Sequence, residues 1–164
     1  MKKKFVSMLL AAMMAGTMVA AVPVMAEEST EATTEATANA DLADKKVGVC
    51  IYQFSDNFMT LFRTELENYL VGLGFSKDNI TIVDGVNDQA TQSGQIDSFI
   101  ADEVDVLIIN PVNSSSASTI TDKVVAAGIP LVYINREPDA DEEARWEENG
   151  WNVTYVGCDA RQSG

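Results

Sequence analysis

The sequence predicts an α/β fold, a doubly wound parallel sheet of five strands. From Lys46 onward, short apolar runs rich in Val and Ile alternate with segments of helical period, the pattern of strand–helix–strand units joined by crossovers. The third run, Val106-Leu107-Ile108-Ile109, is apolar throughout, as a strand covered on both faces must be.

The first 26 residues stand apart from this pattern. Lys2, Lys3 and Lys4 form a basic start, Phe5 to Val22 is uncharged and rich in Leu, Met, Ala and Val, and Val24-Met25-Ala26 offers small or apolar residues at the −3 and −1 positions. That is a secretory signal peptide, cleaved before Glu27. Residues 27–45 repeat Glu, Ala and Thr with almost no large apolar side chain. They bury too little surface to offset ordering entropy and are expected to form a disordered acidic linker. The folded domain is expected over 46–164.

Val47 to Tyr52 reads as a buried strand. Asp56 then caps a helix whose inward face is Met59, Phe62, Leu66, Tyr69, Leu70 and Leu73, closed by Gly72 and Gly74. Ile80 to Val83 is the second strand. Asp88 to Ala101 is a second helix, with Ile96, Phe99 and Ile100 facing in. After the third strand, Ser114-Ser115-Ser116 opens a helix through Ile120, Val124 and Ala127, stopped by Gly128 and Pro130. Pro130 to Ile134 is the fourth strand. Val153 to Val156 is the fifth, reached through the acidic segment 139–150, which receives no element of its own. In spatial order 2-1-3-4-5, all the strands deliver their carboxyl ends to one edge, where such sheets bind ligands.

Removing Lys2, Lys3 and Lys4 leaves 8 of the 11 basic residues against all 25 acidic ones, a net charge of −17. Such a surface repels phosphate backbones and anionic lipid, so no nucleic-acid partner is expected. The two cysteines fall in the first strand and after the fifth. In the order 2-1-3-4-5 their backbones stand about 14 Å apart, beyond the roughly 7 Å reach of a disulfide, so both are expected to be free thiols. There is no histidine, hence no Ser-His pairing and no Cys/His metal cluster. A Gly-x-Gly-x-x-Gly fingerprint and a phosphate loop are missing as well.

What the strand ends do hold suits a neutral polyol. Tyr52-x-x-x-Asp56-Asn57-Phe58 leaves the first strand, Asn110 ends the third, and Asn135-Arg136 ends the fourth. Planar carboxylates and amides bridge neighbouring hydroxyls, and aromatic planes stack on the apolar faces of a sugar ring. Each residue has a plainer reading too: Asp56 as a helix cap, Phe58 as core, Asn110 as a turn former before Pro111.

The stretches VGVCIYQFSDNFM, NDQATQSGQID, VLIINPVNSSSA, GIPLVYINREP and YVGCDARQSG together resemble the N-terminal lobe of type I periplasmic sugar-binding proteins. The likeness is greatest to those of galactose/glucose type that serve ABC importers and, in some bacteria, chemoreceptors. The resemblance covers Lys46 to Gly164. It implies one lobe of a two-lobed, monomeric binding protein without catalytic residues or a cofactor of its own, truncated at the hinge. The second lobe would close over the sugar, and the calcium loop of many galactose-binding relatives belongs to that lobe. Carried residue by residue, the sugar contacts are Tyr52, Asp56, Phe58 and Asn110, with Asn57, Asn135 and Arg136 as weaker neighbours. Partners implied are a monosaccharide and an importer permease, in the periplasm or outside the cell. Cys158 departs from a threonine common in the family, and 139–150 has no recognised counterpart.

An exported carbohydrate-active enzyme is the competing reading, with Asp56 paired to Asp84 or Asp88 as its two carboxyls. A LacI-type regulator shares the lobe fold but needs a helix-turn-helix where this chain has its signal segment. The exported form is expected to begin at Glu27 and to carry no lipid. Its intact mass checks both points, and a retained leader or a diacylglycerol adduct would contradict them.

Overall fold

A computed structural model describes residues 40–158. The expected signal peptide and most of the linker lie outside the described residues. The strands form at the β-branched runs: β1 (Val47–Ile51), β2 (Ile80–Asp84), β3 (Val106–Ile109), β4 (Leu131–Ile134) and β5 (Val153–Val156). Every neighbouring pair is parallel, in the order β2-β1-β3-β4-β5. The register sets Val49 between Ile82 and Ile108. Because β1 has a strand on either side, all five of its residues are buried.

The pleat of β1 divides the core. Val47, Val49 and Ile51 meet Met59 and Leu70 of helix α1 (Asn57–Leu73) on one face. On the other, Cys50, Leu107 and Ile109 meet Ile96 and Phe99 of α2 (Gln89–Ala101), Ile120 and Val124 of α3 (Ala117–Ala126), and Trp146 of α4 (Ala140–Asn149). Each such apolar side chain contributes roughly 1.5–3 kcal/mol on burial, so this two-sided core is what holds the strand ends in place. Gly48 is required by close approach. A Cβ there would lie 2.8 Å from Cγ of Phe99 and 2.9 Å from Cδ2 of Leu107.

Helix ends follow their caps. Gly74, at φ 115°, closes α1 by donating toward Leu70 and Val71, whereas Gly72 stays inside the helix. Tyr69, expected to face in, is 62 % exposed, because the buried stripe runs through Met59, Leu66 and Leu70 and leaves Tyr69 on its flank. Ser114–Ser116 forms a 3-10 turn capped by Asn113, and α3 proper begins at Ala117.

The acidic segment 139–150 is α4, for which the sequence reading assigned no element. Asp139 caps it by accepting from Glu142 N–H at 3.0 Å, and Gly150 at φ 62° ends it. Its one large apolar contact is Trp146, stacked on Tyr133 with ring centroids 5.5 Å apart. The indole N–H donates to buried Glu142 at 2.7 Å, and Arg145 bridges Glu142 to Asp122 of α3. The lobe also begins before the expected boundary at residue 46. Ala40–Leu42 is a 3-10 turn, Ala43 C=O accepts from Asn79 at 2.8 Å, and Lys45 pairs with Asp105 at 2.8 Å.

Both cysteines are free, Cys50 buried and Cys158 exposed, with β3 and β4 between their strands. Burial pushes the Cys50 thiol up to about 12, so it carries almost no thiolate near neutral pH. A thiol reagent at pH 8 is expected to titrate Cys158 at once and Cys50 only after denaturation; immediate reaction of both would contradict the buried β1. Gly48→Ala is expected to destabilise the lobe by about 1–3 kcal/mol through overpacking, read as a lower urea midpoint with an unchanged slope.

Candidate functional site

The exit from β1 is shaped by one carboxylate. Asp56 takes the extended conformation of an N-cap, φ −75° and ψ 125°. Its Oδ1 accepts from the N–H of Phe58 at 2.8 Å and of Met59 at 3.2 Å. Its other oxygen accepts from the Tyr52 hydroxyl, whose ring is buried at the strand end. The Tyr52 hydrogen bond, followed by that from Met59 N–H, holds the Asp56 carboxyl below the usual aspartate range. The same bond raises the Tyr52 phenol. The cap therefore presents Asn57 and Phe58 on the first turn of α1, with Phe58 60 % exposed and its ring 6.0 Å from that of Phe62.

The end of β4 reaches the same place. Asn135 sits at φ 63°, a left-handed conformation that asparagine tolerates, and its carbonyl accepts from the Tyr155 hydroxyl at 3.1 Å. The turn brings the Arg136 guanidinium over the Tyr52 ring, 3.9 Å from its centroid, and Nη1 donates to the carbonyls of Pro111 and Val112. Tyr52, Asp56 and Arg136 thus form one connected group across β1, β3 and β4, whereas no contact of the Asn135 side chain joins it to them.

Asn110, expected as a sugar contact, follows the end of β3. It is wholly buried. The capped first turn of α1 lays Met59 over the end of β3, and the Asn110 amide donates to the Met59 sulfur at 3.2 Å. Its Oδ1 has no hydrogen-bond partner among the described residues.

The end of β2 supports the loop from the other side. Asp84 Oδ1 accepts from Phe54 N–H at 3.0 Å and Val86 N–H at 2.8 Å. Gly85 and Asn87 donate to the Ile51 and Tyr52 carbonyls, both at 2.7 Å. A Cβ at Gly85 would lie 3.0 Å from each of those two oxygens, so only glycine admits this approach without displacement. Val86 and Asn87 are both left-handed, at φ 45° and 54°. For a β-branched valine that conformation is strained, and such strain collects at functional loops.

Asp84 and Gln92 belong to this region and were absent from the expected contacts. Gln92 lies on the inward stripe of α2 with Ile96 and Phe99, and a polar residue at a core position was the signal that could have found it. The three acids of the competing enzyme reading are all engaged as acceptors of backbone N–H groups, Asp88 by capping α2 through Thr91 N–H at 2.7 Å. Asp56 and Asp88 both have lowered pKa values, the opposite of what a general acid needs.

Because the folded state holds the Asp56 pKa down, its contribution to stability is complete above the ordinary aspartate value of about 3.9. That contribution is lost as pH falls through the lower folded value. Thermal unfolding from pH 2 to 7 is expected to show Asp56→Asn less stable than wild type at neutral pH, with the two converging in acid. Parallel curves over the whole range would contradict the cap geometry.

A family model described as "Periplasmic binding protein domain" matches residues 47–164. The D-galactose/methyl-galactoside binding periplasmic protein of Haemophilus influenzae is 35 % identical over 122 residues, covering 74 % of this chain and 35 % of that protein. A putative rhizopine-binding protein of Rhizobium meliloti is 40 % identical over 92 residues, 56 % of this chain and 29 % of the relative. Among solved structures, an ABC transporter solute binding protein from Bacillus halodurans with bound myo-inositol superposes with a TM-score of 0.52 at 33 % identity, covering 63 % of this chain and 36 % of that one. The chain spans about a third of the length of these relatives. With the parallel sheet, the strand-end cluster and a family match across nearly all the described residues, the chain belongs to the periplasmic binding protein domain family, and its described residues form one lobe of that fold.

Proposed function

We propose that this chain is the N-terminal lobe of the solute-binding component of an ABC-type sugar importer, exported by residues 1–26 and working as a monomer with an importer permease. Its ligand is a monosaccharide of galactose or glucose type, bound at the carboxyl ends of β1, β3 and β4. The observation that carries this reading is the meeting of Tyr52 and Asp56, beyond the end of β1, with Arg136, beyond the end of β4, beside exposed Phe58. The cluster offers a carboxylate acceptor, a guanidinium and an aromatic face, the groups a polyol ring needs. Similarity to a D-galactose/methyl-galactoside binding protein supports the galactose class. Solved relatives carry D-allose, myo-inositol and β-D-glucose, which supports a cyclic polyol more broadly. The engaged acids favour binding over catalysis.

Tight binding needs water excluded from both faces of the ring, and one lobe leaves half of the ligand solvated. Calorimetry with D-galactose and D-glucose is therefore expected to give affinities weaker than about micromolar for this chain, and tighter ones once a second lobe is joined to it. In the two-lobed protein Asn110→Ala is expected to weaken binding by about tenfold or more, and Asp56→Asn to weaken it while the fold is kept. Wild-type affinity in both variants would contradict the assignment of the site.

A further inference from the structure

Between Tyr52 and the Asp56 cap the chain places three residues, Gln53-Phe54-Ser55. The Tyr52 hydroxyl bonds to Asp56 across them, so the place of the middle residue sets the span that bond must close. Phe54 is held at three points, all by other elements. Its N–H donates to Asp84 Oδ1 at 3.0 Å, its carbonyl accepts from Thr60 Oγ1 at 3.2 Å, and its ring lies under the Arg63 guanidinium, 3.8 Å from the centroid. Thr60 and Arg63 stand on α1, the helix that Asp56 itself caps. Of the three, only Asp84 ties Phe54 to the sheet.

Asp84 ends β2 opposite Ile51 in the register, and its backbone is fixed in turn, the carbonyl accepting from Gln95 Nε2 of α2 at 2.6 Å. The oxygen that receives Phe54 also accepts from Val86 N–H at 2.8 Å, the local bond by which an aspartate side chain closes a turn two residues on. That turn carries strain. Val86 and Asn87 are consecutive left-handed residues, a conformation that disfavours an L residue and a β-branched one most of all. The Val86 side chain is exposed, so its own packing does not offset the cost. What the turn delivers is a pair of amides, Gly85 and Asn87 donating to the Ile51 and Tyr52 carbonyls, each at 2.7 Å. A charged oxygen bonds an N–H more strongly than a neutral one, and a single oxygen of Asp84 couples the strained turn after β2 to the loop after β1.

We propose that Asp84 is a positioning residue of the site, fixing Phe54 so that Tyr52, Asp56 and Phe58 are presented to the ligand in one arrangement. The ligand in this statement rests on the sugar reading above, but the coupling of the two loops does not.

The unliganded chain is tested first, as the isotopically labelled 164-residue protein. In Asp84→Ala, amide exchange at Phe54 and Val86 is expected to accelerate about tenfold and the Tyr52 and Phe58 ring signals to shift, while Val132 and Tyr133 in β4 keep their rates. Asp84→Asn keeps an acceptor oxygen and is expected to restore those signals in part. Should Asp84→Ala fail to fold, Asp84→Asn carries the test through smaller changes at the same groups. Wild-type exchange at Phe54 with unmoved Tyr52 and Phe58 rings would overturn the proposal. D-galactose titration then reads the positioning role, with affinity expected to fall about tenfold in Asp84→Ala and to recover in part in Asp84→Asn. Asp105→Ala, which breaks the Lys45 pair at the opposite edge, controls for lost stability alone and is expected to bind as the wild type does. An equal loss of affinity in Asp105→Ala, or unchanged affinity in an Asp84 variant whose ring signals have moved, would overturn that role. A wild type without any galactose response would count against the sugar reading instead, with the unliganded ring signals still deciding the coupling of the loops.

Discussion

The carboxylate of Asp56 has to satisfy donors from two directions, the first-turn amides of α1 and the phenol of Tyr52. A neutral cap could serve the amides, but the ion strengthens all three bonds and fixes the angle at which the chain turns from β1 into α1. That angle decides what the first turn does. It lays Met59 over Asn110 and leaves Phe58 facing out. The Tyr52 ring, held at its hydroxyl, becomes the surface on which Arg136 rests, and through Arg136 the turn after β3 is tied to the same point. The geometry at the ends of β1, β3 and β4 therefore follows from one acid just beyond β1.

The sheet explains why so much converges there. Five parallel strands deliver every exit loop to one edge, and the order β2-β1-β3-β4-β5 puts the exits of β1 and β3 side by side while the β2 exit backs against Tyr52. Among the described residues, helix α1 alone covers one face beside β1, whereas α2, α3 and α4 share the other. The strained Val86-Asn87 turn and left-handed Asn135 lie at this same edge, where their cost is offset by the packing beneath. The opposite edge carries plainer devices, such as the Lys45–Asp105 ion pair.

Much of this was legible from residue order. The strands were readable because β-branched runs alternate with helical periods, and Asp56 and Gly74 were readable as caps because their chemistry is local. The strand order followed from the chirality and spacing that parallel sheets impose. Helix α4 escaped because it buries little beyond one tryptophan and is charged almost throughout, although its Asp139-x-x-Glu142 start has the form of a capping signal. The site was legible in its residues but not in its contacts. Arg136 and Tyr52 are distant in sequence, and no periodicity announces a guanidinium above a ring. Nor could sequence show that Asn110 lies closed beneath Met59, since that depends on the angle set by Asp56.

The central claim is that a monosaccharide occupies the edge where β1, β3 and β4 end. The most direct measurement is a D-galactose titration of the isotopically labelled chain, following every backbone amide. The account requires saturable shifts concentrated at Tyr52 to Phe58, Asn110 to Asn113 and Asn135-Arg136, with the opposite edge near Asp105 silent. Shifts centred elsewhere, as at Glu143, Trp151 and Tyr155 beside β5, or none at all at millimolar sugar, would contradict it.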